Sequence, residues 1–452
     1  MTSRPAFLPQ PFHEARQTKV RRTPAEALRI LLLNQCFYPD VVSTAQHLTD
    51  LAKSLAERGH EVTVIASDRG YDDPARRFPR REVWNNIEVI RIPSLSLGKE
   101  TKIKRALNFA SFLAVCFFRL LTLRSFDTVV ALTSPPLISF LAALFVSLKG
   151  GRFCFWVMDL NPDEALAAGW LREGSLLARS LQRLLVYSLK QADRVVVLDR
   201  FMKDRVLGKG VEPARITILP PWSHDESISY SAVGRDEFRS KYGLTNKFVV
   251  MYSGNHSPCH PLDTLLDAAF TLSTDQNIAF CFVGGGTEQE KVREFSREHK
   301  LQNILCLPYQ PLELLSSSLS AADLHVVVMG DQFTGIVHPC KIYNILRIGG
   351  PVLYIGPPES HVTDIADQFK TGHIFVARHG NSDLIVEQIT VLAKRKTTAS
   401  AFRLSAFSKL QLLPQMISLV ESAVLSEGDN INALASTYSP DPDSKAQEVV
   451  SL

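Results

Sequence analysis

RILLLNQCFYPDVVSTAQHLTDLAKSLAERGHEVTVIAS, residues 29–67, is the stretch that decides the fold. RILLLN is a short run of apolar residues without polar alternation, as expected of a strand covered on both faces. A helical pattern follows from about Thr44 to Arg58, and Gly59-His60 closes it where a C-terminal glycine belongs. EVTVIAS, 61–67, is then a second buried strand. Two such strands joined through a helix are parallel.

The unit repeats outward from there. IEVIRI (87–92), DTVVAL (127–132), RFCFWVM (152–158), RVVVL (194–198) and RITIL (215–219) are further strands, with helical stretches between most of them. After Pro220-Pro221 and a polar, helix-poor segment the alternation restarts with FVVMYS (248–253), IAFCFV (278–283), NILCL (303–307), LHVVVM (324–329), PVLYI (351–355) and HIFVA (373–377). The pattern predicts an α/β protein of two doubly wound, Rossmann-like domains facing each other across a cleft, where ligands bind beyond the carboxyl ends of the strands. Its expected parts are a flexible tail (1–27), a first domain (28–222), a linker (223–245), a second domain (246–400), a C-terminal helix packing back towards the first domain (401–425) and a disordered tail (426–452).

The chain has 452 residues, too many for one core, and is 45% hydrophobic with a net charge of +4. That balance gives no case for wholesale nucleic-acid binding. The seven cysteines form no C-x-x-C pair and read as reduced core residues of a cytoplasmic protein. No signal peptide is apparent. KETKIKRALNFASFLAVCFFRLLTLR sets Lys99, Lys102, Lys104 and Arg105 ahead of an 18-residue, mostly apolar run, Ala106 to Leu123. A span of the bilayer would put strands 87–92 and 127–132 on opposite sides, which one sheet forbids. A buried crossover helix and a helix lying in an anionic membrane surface both remain.

The motifs of metal, hydrolase and dinucleotide chemistry are missing. There is no H-E-x-x-H, no G-x-S-x-G, no phosphate loop ending in G-K-S/T, and no G-x-G-x-x-G after the first strand. No metal site is expected. Four strand-end loops carry the chemistry instead. YPDVVSTAQHL (38–48) offers helix-start N–H groups with the hydroxyls of Ser43 and Thr44 to an anion, or simply caps the helix. WVMDLNPDEALAAG (156–169) clusters Asp159, Asp163 and Glu164 beyond a hydrophobic strand, as a general base or as helix caps. Apart from the four, Gly284-Gly285-Gly286 stands where a phosphate or ribose could approach, or makes a tight turn. The remaining two are YSGNHSPCHPL (252–262) and FTGIVHPCKIYNILRIGGPVLYIG (333–356), with a helix expected from Pro339 to Ile348.

Taken in order, YPDVVSTAQHLTDLAKSLAERGHEVTVIAS, DLNPDE, LPPWSHD, YSGN with LDTLLDAA, FVGGG, YQPLELLSSSLSAADLHVVV and HPCKIYNILRIGGPV resemble the bacterial family 4 glycosyltransferases of GT-B fold, most of all the exopolysaccharide and colanic-acid-type branch. The likeness covers roughly residues 28–395. It implies a hexosyltransferase-type enzyme that holds a nucleotide-sugar, a UDP-sugar in preference to a GDP-sugar, on the second domain. The acceptor, a polyprenyl-linked or other glycan, binds on the first. Transfer is retaining, needs no metal or other cofactor, and takes place on the inner face of the cytoplasmic membrane, with residues 99–123 on the anionic surface.

The resemblance implies site residues too. Lys341, Gly254, Asn255, His260, Ser43 and Thr44 fall on the donor diphosphate, Gly284, Gly285, Tyr343 and Asn344 on the nucleotide and ribose, and Gly335 and His338 on the donor sugar. Asp159, beside the position of the family's acceptor-site histidine, is the expected base or acceptor-orienting carboxylate. The sequence also departs from the family. Its paired glutamates fall on Ile336 and Asn344, and its usual arginine and lysine on Asn255 and His260, which leaves Lys341, with His338 as a second candidate, to carry the charge. Those departures are the case for an alternative function, a non-catalytic nucleotide-sugar-binding or scaffold subunit.

Overall fold

A computed structural model describes residues 27–395, apart from 72, 74, 99–100, 224–227 and 370–372, together with 405–425. The two expected tails lie outside the described residues, save residue 27. The first domain is one eight-stranded sheet of β1 (Arg29–Leu33), β2 (Glu61–Ser67), β3 (Arg81–Trp84), β4 (Ile87–Ile92), β5 (Thr128–Ala131), β6 (Arg152–Trp156), β7 (Arg194–Val197) and β8 (Ile216–Ile218). The order is β3-β4-β2-β1-β5-β6-β7-β8. The second is a six-stranded sheet of β9 (Phe248–Asn255), β10 (Ile278–Gly285), β11 (Ile304–Leu307), β12 (Leu324–Val328), β13 (Val352–Ile355) and β14 (Ile374–Ala377), in the order β11-β10-β9-β12-β13-β14.

Every strand pairing except β3–β4 is parallel. The apolar runs therefore sit between two layers of helices, and β5 and β12 are buried along their whole length. Chain order reverses between β1 and β5 in one sheet and between β9 and β12 in the other. Crevices open at such points, and they lie where the loops after β1 and β9 begin.

β3 was not expected. It forms an antiparallel hairpin with β4 through Asn85 and Asn86, both at positive φ (50° and 61°). Asparagine tolerates that conformation, and REVW lies at the sheet edge with alternating exposure, so it lacks the apolar run that marks the other strands. The segment expected as a helix-poor linker also differs. It contains a helix, Ala232–Lys241, capped by the Ser231 hydroxyl on Gly234 N–H. Its polar composition reflects a helix with one buried apolar anchor, Phe238, and two arginines used structurally: Arg235 and Arg239 both bind the Asp323 carboxylate, which also accepts Val249 N–H at 2.7 Å.

The helix Lys102–Leu121 crosses from β4 to β5, both in the same sheet. It buries Phe112, Cys116 and Leu120 while Ile103 and Phe118 stand 73% and 66% exposed, so it is a packed crossover helix that keeps an apolar outer face. No helix among the described residues is long and apolar enough to cross a membrane. The C-terminal helix Lys409–Leu425 lies on the first domain: Glu421 meets Arg58 and His60, and Lys409 meets Asp50 at 2.8 Å.

Removing the Asp323 carboxylate strands a buried guanidinium. Asp323→Ala is expected to lower urea-unfolding stability by about 3 kcal/mol, whereas Glu290→Ala, which breaks the exposed pair with Arg297, should change it by less than about 1 kcal/mol. Equal small effects at both positions would show that the helix Ala232–Lys241 is not anchored by Asp323.

Candidate active site

The second domain contributes a tight floor. Gly254 and Gly284, each the last residue but one of its strand (β9 and β10), are both at φ 138°. A Cβ on Gly284 would stand 2.0 Å from the Gly254 carbonyl oxygen, and one on Gly286 would stand 2.2 Å from that of His256, so only glycine allows the two strand ends this close. The Gly285 carbonyl accepts His256 N–H at 2.8 Å and the Tyr309 hydroxyl at 3.3 Å. The glycine run thus makes a close turn whose shape is fixed by β9.

Beneath that floor lies Lys341. Its Nζ sits 3.6 Å from the centre of the Tyr252 ring, and a Cβ built on Gly254 would come within 3.3 Å of it. The ammonium is shut off from water and has no hydrogen-bond partner. Burial lowers its pKa to about 7. His260 donates Nδ1–H to Val328 O at 2.7 Å, and burial, then Lys341, lowers its pKa to about 3. His260 is therefore neutral and turned towards β12. Burial and then Lys341 also keep His256 neutral, with a pKa lowered to about 4. Asn255 is exposed, with its side-chain oxygen against Gly286. Lys341 is the cation of this group.

The helix carrying it starts later than expected: it runs Lys341–Ile348, and Pro339 and Cys340 form the turn before it. Asn344 lies one turn further on, half-buried.

The first domain contributes the acid. Asp159 lies just beyond β6, half-buried, and takes no hydrogen bond from the described residues. Burial, and after it the nearby Glu164 carboxylate, push its pKa well up. Glu164 accepts from Asn161 Nδ2 at 3.0 Å and stands 3.5 Å from the Cys259 thiol of the second domain. Asp163 is engaged elsewhere, with Lys209 at 2.8 Å and Gln182 at 3.1 Å. The helix Ser43–Glu57 has Val42 as its cap residue without a side-chain cap bond, so the hydroxyls of Ser43 and Thr44 do not cap it. Ser43 instead faces the Cys340 thiol, which lies in electrostatic reach of Asp159. Ser43, Asp159, Cys340 and Lys341 thus meet across the cleft.

Gly335, His338 and Tyr343 are occupied by the contact between domains. A Cβ on Gly335 would stand 2.6 Å from the Phe201 backbone. His338 bonds Asp199 through Nδ1 at 2.7 Å and the Tyr343 hydroxyl through Nε2 at 2.6 Å, and stacks on His361 at 3.7 Å. Asp199, held below the usual carboxylate range chiefly by His338 against the pull of its burial, also caps Met202 N–H. The ligating atoms of Asp199, His338 and His361 lie within 4.8 Å of one another. Both ring nitrogens of His338 are in use, however, and near-parallel imidazoles aim their lone pairs side by side, unlike the converging ligands of a tetrahedral site. Arg200 pairs with Asp364 at 2.7 and 3.0 Å, and Leu160 N–H donates to Ile336 O at 2.8 Å, adding to the same clamp. Tyr252, His256, Asp199 and His361 carry no motif that the sequence alone would single out.

Residues 44–222 match the family described as "Glycosyl transferase 4-like domain", and residues 234–407 match "Glycosyl transferases group 1". The chain is 25% identical over 408 residues to the putative colanic acid biosynthesis glycosyl transferase WcaI of Escherichia coli (strain K12), covering 86% of this chain and 99% of that protein. Its fold is similar to that of Anabaena Alr3699/HepE in complex with UDP and glucose, with a TM-score of 0.66, 16% identity, and 87% of this chain and 100% of that one covered. It is also similar to that of WaaG, a glycosyltransferase involved in lipopolysaccharide biosynthesis, at TM-score 0.63, 17% identity, and coverage of 86% and 99%.

The buried ammonium has a thermodynamic signature. Lys341 titrates near 7 when folded and near 10.5 when unfolded, so between these values the unfolded chain binds a proton that the folded one does not, and stability rises with pH. Below that window both states are protonated and the penalty is complete. Lys341→Met is therefore expected to raise the thermal midpoint most at about pH 6 and least at about pH 9 or above. A pH-independent change, or a loss of stability at pH 6, would contradict the burial of an unpaired charge.

Proposed function

Because the chain belongs to the family 4 glycosyltransferases of GT-B fold, we propose that it moves a sugar from a UDP-sugar, in preference to a GDP-sugar, to a lipid-linked or membrane-proximal glycan, with retention and without a metal. Sugar transfer and the exopolysaccharide or lipopolysaccharide type of pathway follow from its relatives. The observation that supports the finer reading is a buried lysine and a perturbed carboxyl group on the two sides of one cleft: Lys341 Nζ has no hydrogen-bond partner, and burial, then Glu164, pushes the Asp159 pKa up. The complexes of HepE with UDP and glucose and with UDP-glucose support the choice of base.

In this reading the donor diphosphate lies over Gly254 and the start of the helix Lys341–Ile348. As the bond from the anomeric carbon to the diphosphate breaks, negative charge builds where Lys341 can meet it. The acceptor hydroxyl forms the new bond to that carbon and gives its proton to Asp159. A carboxylate raised towards neutrality is a stronger base for that task than an ordinary one. Asn344 lies on the face of the helix that carries Lys341 and reaches the ribose. The outer face of Lys102–Leu121, with Ile103, Leu107, Phe118 and Leu121 exposed among Lys104, Arg105 and Arg119, rests on an anionic membrane on its cytoplasmic side.

In a thermal-shift panel, UDP at 100 times its Kd should stabilise the protein by about 2.7 kcal/mol, with less for GDP. Asp159→Asn should cost about 100-fold in turnover while UDP binding stays near wild type. Unimpaired turnover in that variant would remove Asp159 from the chemistry, and binding of GDP alone would overturn the choice of donor. Flotation with anionic vesicles, released by salt, checks the membrane contact; no flotation would rule it out.

A further inference from the structure

Residues 334–338, which lead from β12 to the helix Lys341–Ile348, are tied to the first domain along their length. Arg205 Nε donates to Thr334 O at 2.6 Å, and a Cβ on Gly335 would meet the Phe201 backbone. Ile336 O accepts Leu160 N–H at 2.8 Å, and His338 binds Asp199 at 2.7 Å. Ile336 and Val337 are buried. Both sides of this contact adjoin residues of the proposed reaction: Leu160 directly follows Asp159, and His338 precedes Lys341 by three residues. Planar peptide units leave little slack over so short a run, so the seating of residues 334–338 sets how Asp159 stands to Lys341.

The end of this contact is titratable. Asp199 stays ionised, so His338 donates Nδ1–H to it. The His338 ring stacks at 3.7 Å on that of His361, which opens the helix His361–Phe369 and is buried with its Nε2 lacking a hydrogen-bond partner. Arg200 and Asp364 lie alongside and bind each other, with Glu359 in electrostatic reach of Arg200. The Tyr343 hydroxyl meets the other nitrogen of His338. Asp199 is thus the one carboxylate bonded to the two rings among the described residues. Burial, then His338, hold the His361 pKa well below 6.5, against the opposing pull of Asp199 and the Pro339 carbonyl.

Resting on the transferase reading above, we propose that residues 334–338 are a latch that positions Asp159 against Lys341, and that a proton taken up by the His338–His361 pair releases it. Asp199, His338 and His361 are positioning residues in this account, since none of them touches the reacting atoms. Opening parts Asp199 from His338 and hydrates both rings. Well above pH 6.5 neither the closed nor the open form carries the additional proton, and closure is at full strength. As pH falls through 6.5 the open form gains a proton that the closed form refuses, and closure weakens by up to about tenfold per pH unit.

Hydrogen exchange of the Leu160 amide in the full chain without ligand reads the latch by itself, once corrected for the intrinsic pH dependence of exchange. In the wild type its protection should drop about tenfold between about pH 7.5 and about pH 5.5. That of Val157, whose amide is bonded within the first domain to Val196 O, should hold. His361→Phe keeps a stacked ring but takes no proton, and its Leu160 protection should change less than about twofold over the same range. His338→Phe removes both bonds of that ring, so Leu160 protection falls at every pH. Its turnover at about pH 7.5 should drop about tenfold or more, with UDP binding within about twofold of wild type. If that variant fails to fold, Arg205→Gln, which removes only the bond to Thr334, should show the same pattern in smaller measure. A flat Leu160 profile in the wild type, an equal drop in His361→Phe, parallel loss at Leu160 and Val157, or full turnover in the unlatched variants would overturn the proposal. UDP binding on the same samples separates the two claims. If UDP binds and the Leu160 profile is flat, only the latch falls; if the profile follows the latch and UDP does not bind, the donor reading fails.

Discussion

A lysine held out of water without an anion, so that its charge is disfavoured, is the constraint around which the cleft is arranged. Lys341 costs the protein stability, because desolvation opposes its charge and only the nearby Cys340 thiol and the face of Tyr252 offset it among the described residues. Its neighbours make sense as consequences. His256 and His260 stay neutral beside it. Gly254 and Gly284 clear the backbone that covers it, since a side chain on Gly284 would collide with Gly254. A site that stores this cost is stabilised by any ligand that brings negative charge to the same point.

The fold determines where that point can lie. Parallel sheets bury both faces, so polar chemistry is forced to the strand ends, and each sheet offers a crevice where its strand order reverses. The loop after β9 reaches Lys341, and the loop after β1 reaches Ser43. The contact between domains is polar and specific, through Asp199–His338–Tyr343 and the two-bonded Arg200–Asp364 pair. It brings the acid of one domain to the cleft that holds Lys341 of the other, whose Nζ has no hydrogen-bond partner among the described residues.

Much of this was legible in the sequence because burial on both faces writes itself as unbroken apolar runs. β1, β2 and the second-domain strands followed from that signal alone. β3 did not, because an edge strand ending at two asparagines has alternating exposure and no apolar run. The helix Ala232–Lys241 was hidden by its own chemistry, since its arginines are structural ligands of Asp323 yet look like solvated charge. At the site, the loop holding Asp159 and the helix holding Lys341 were found by their places after strands. Asp163 and Glu164 could not be told apart by type, although one proves tied to Lys209 and the other faces Cys259. Gly335 and His338 are the reverse case: a glycine and a histidine before a cleft helix suit a sugar or a domain contact equally, and here they hold the domains together. Tyr252 and His256 gain their meaning only from the approach of β9 to Lys341.

The central claim, that a largely neutral buried lysine becomes the cation opposite the donor diphosphate, is tested most directly by proton uptake on binding. Calorimetric titration of the wild-type protein with UDP at about pH 8, in buffers of differing ionisation enthalpy, should show close to one proton taken up per UDP bound. Lys341→Met should bind more weakly with no uptake. Equal proton uptake in the two proteins, or none in the wild type, would contradict the account.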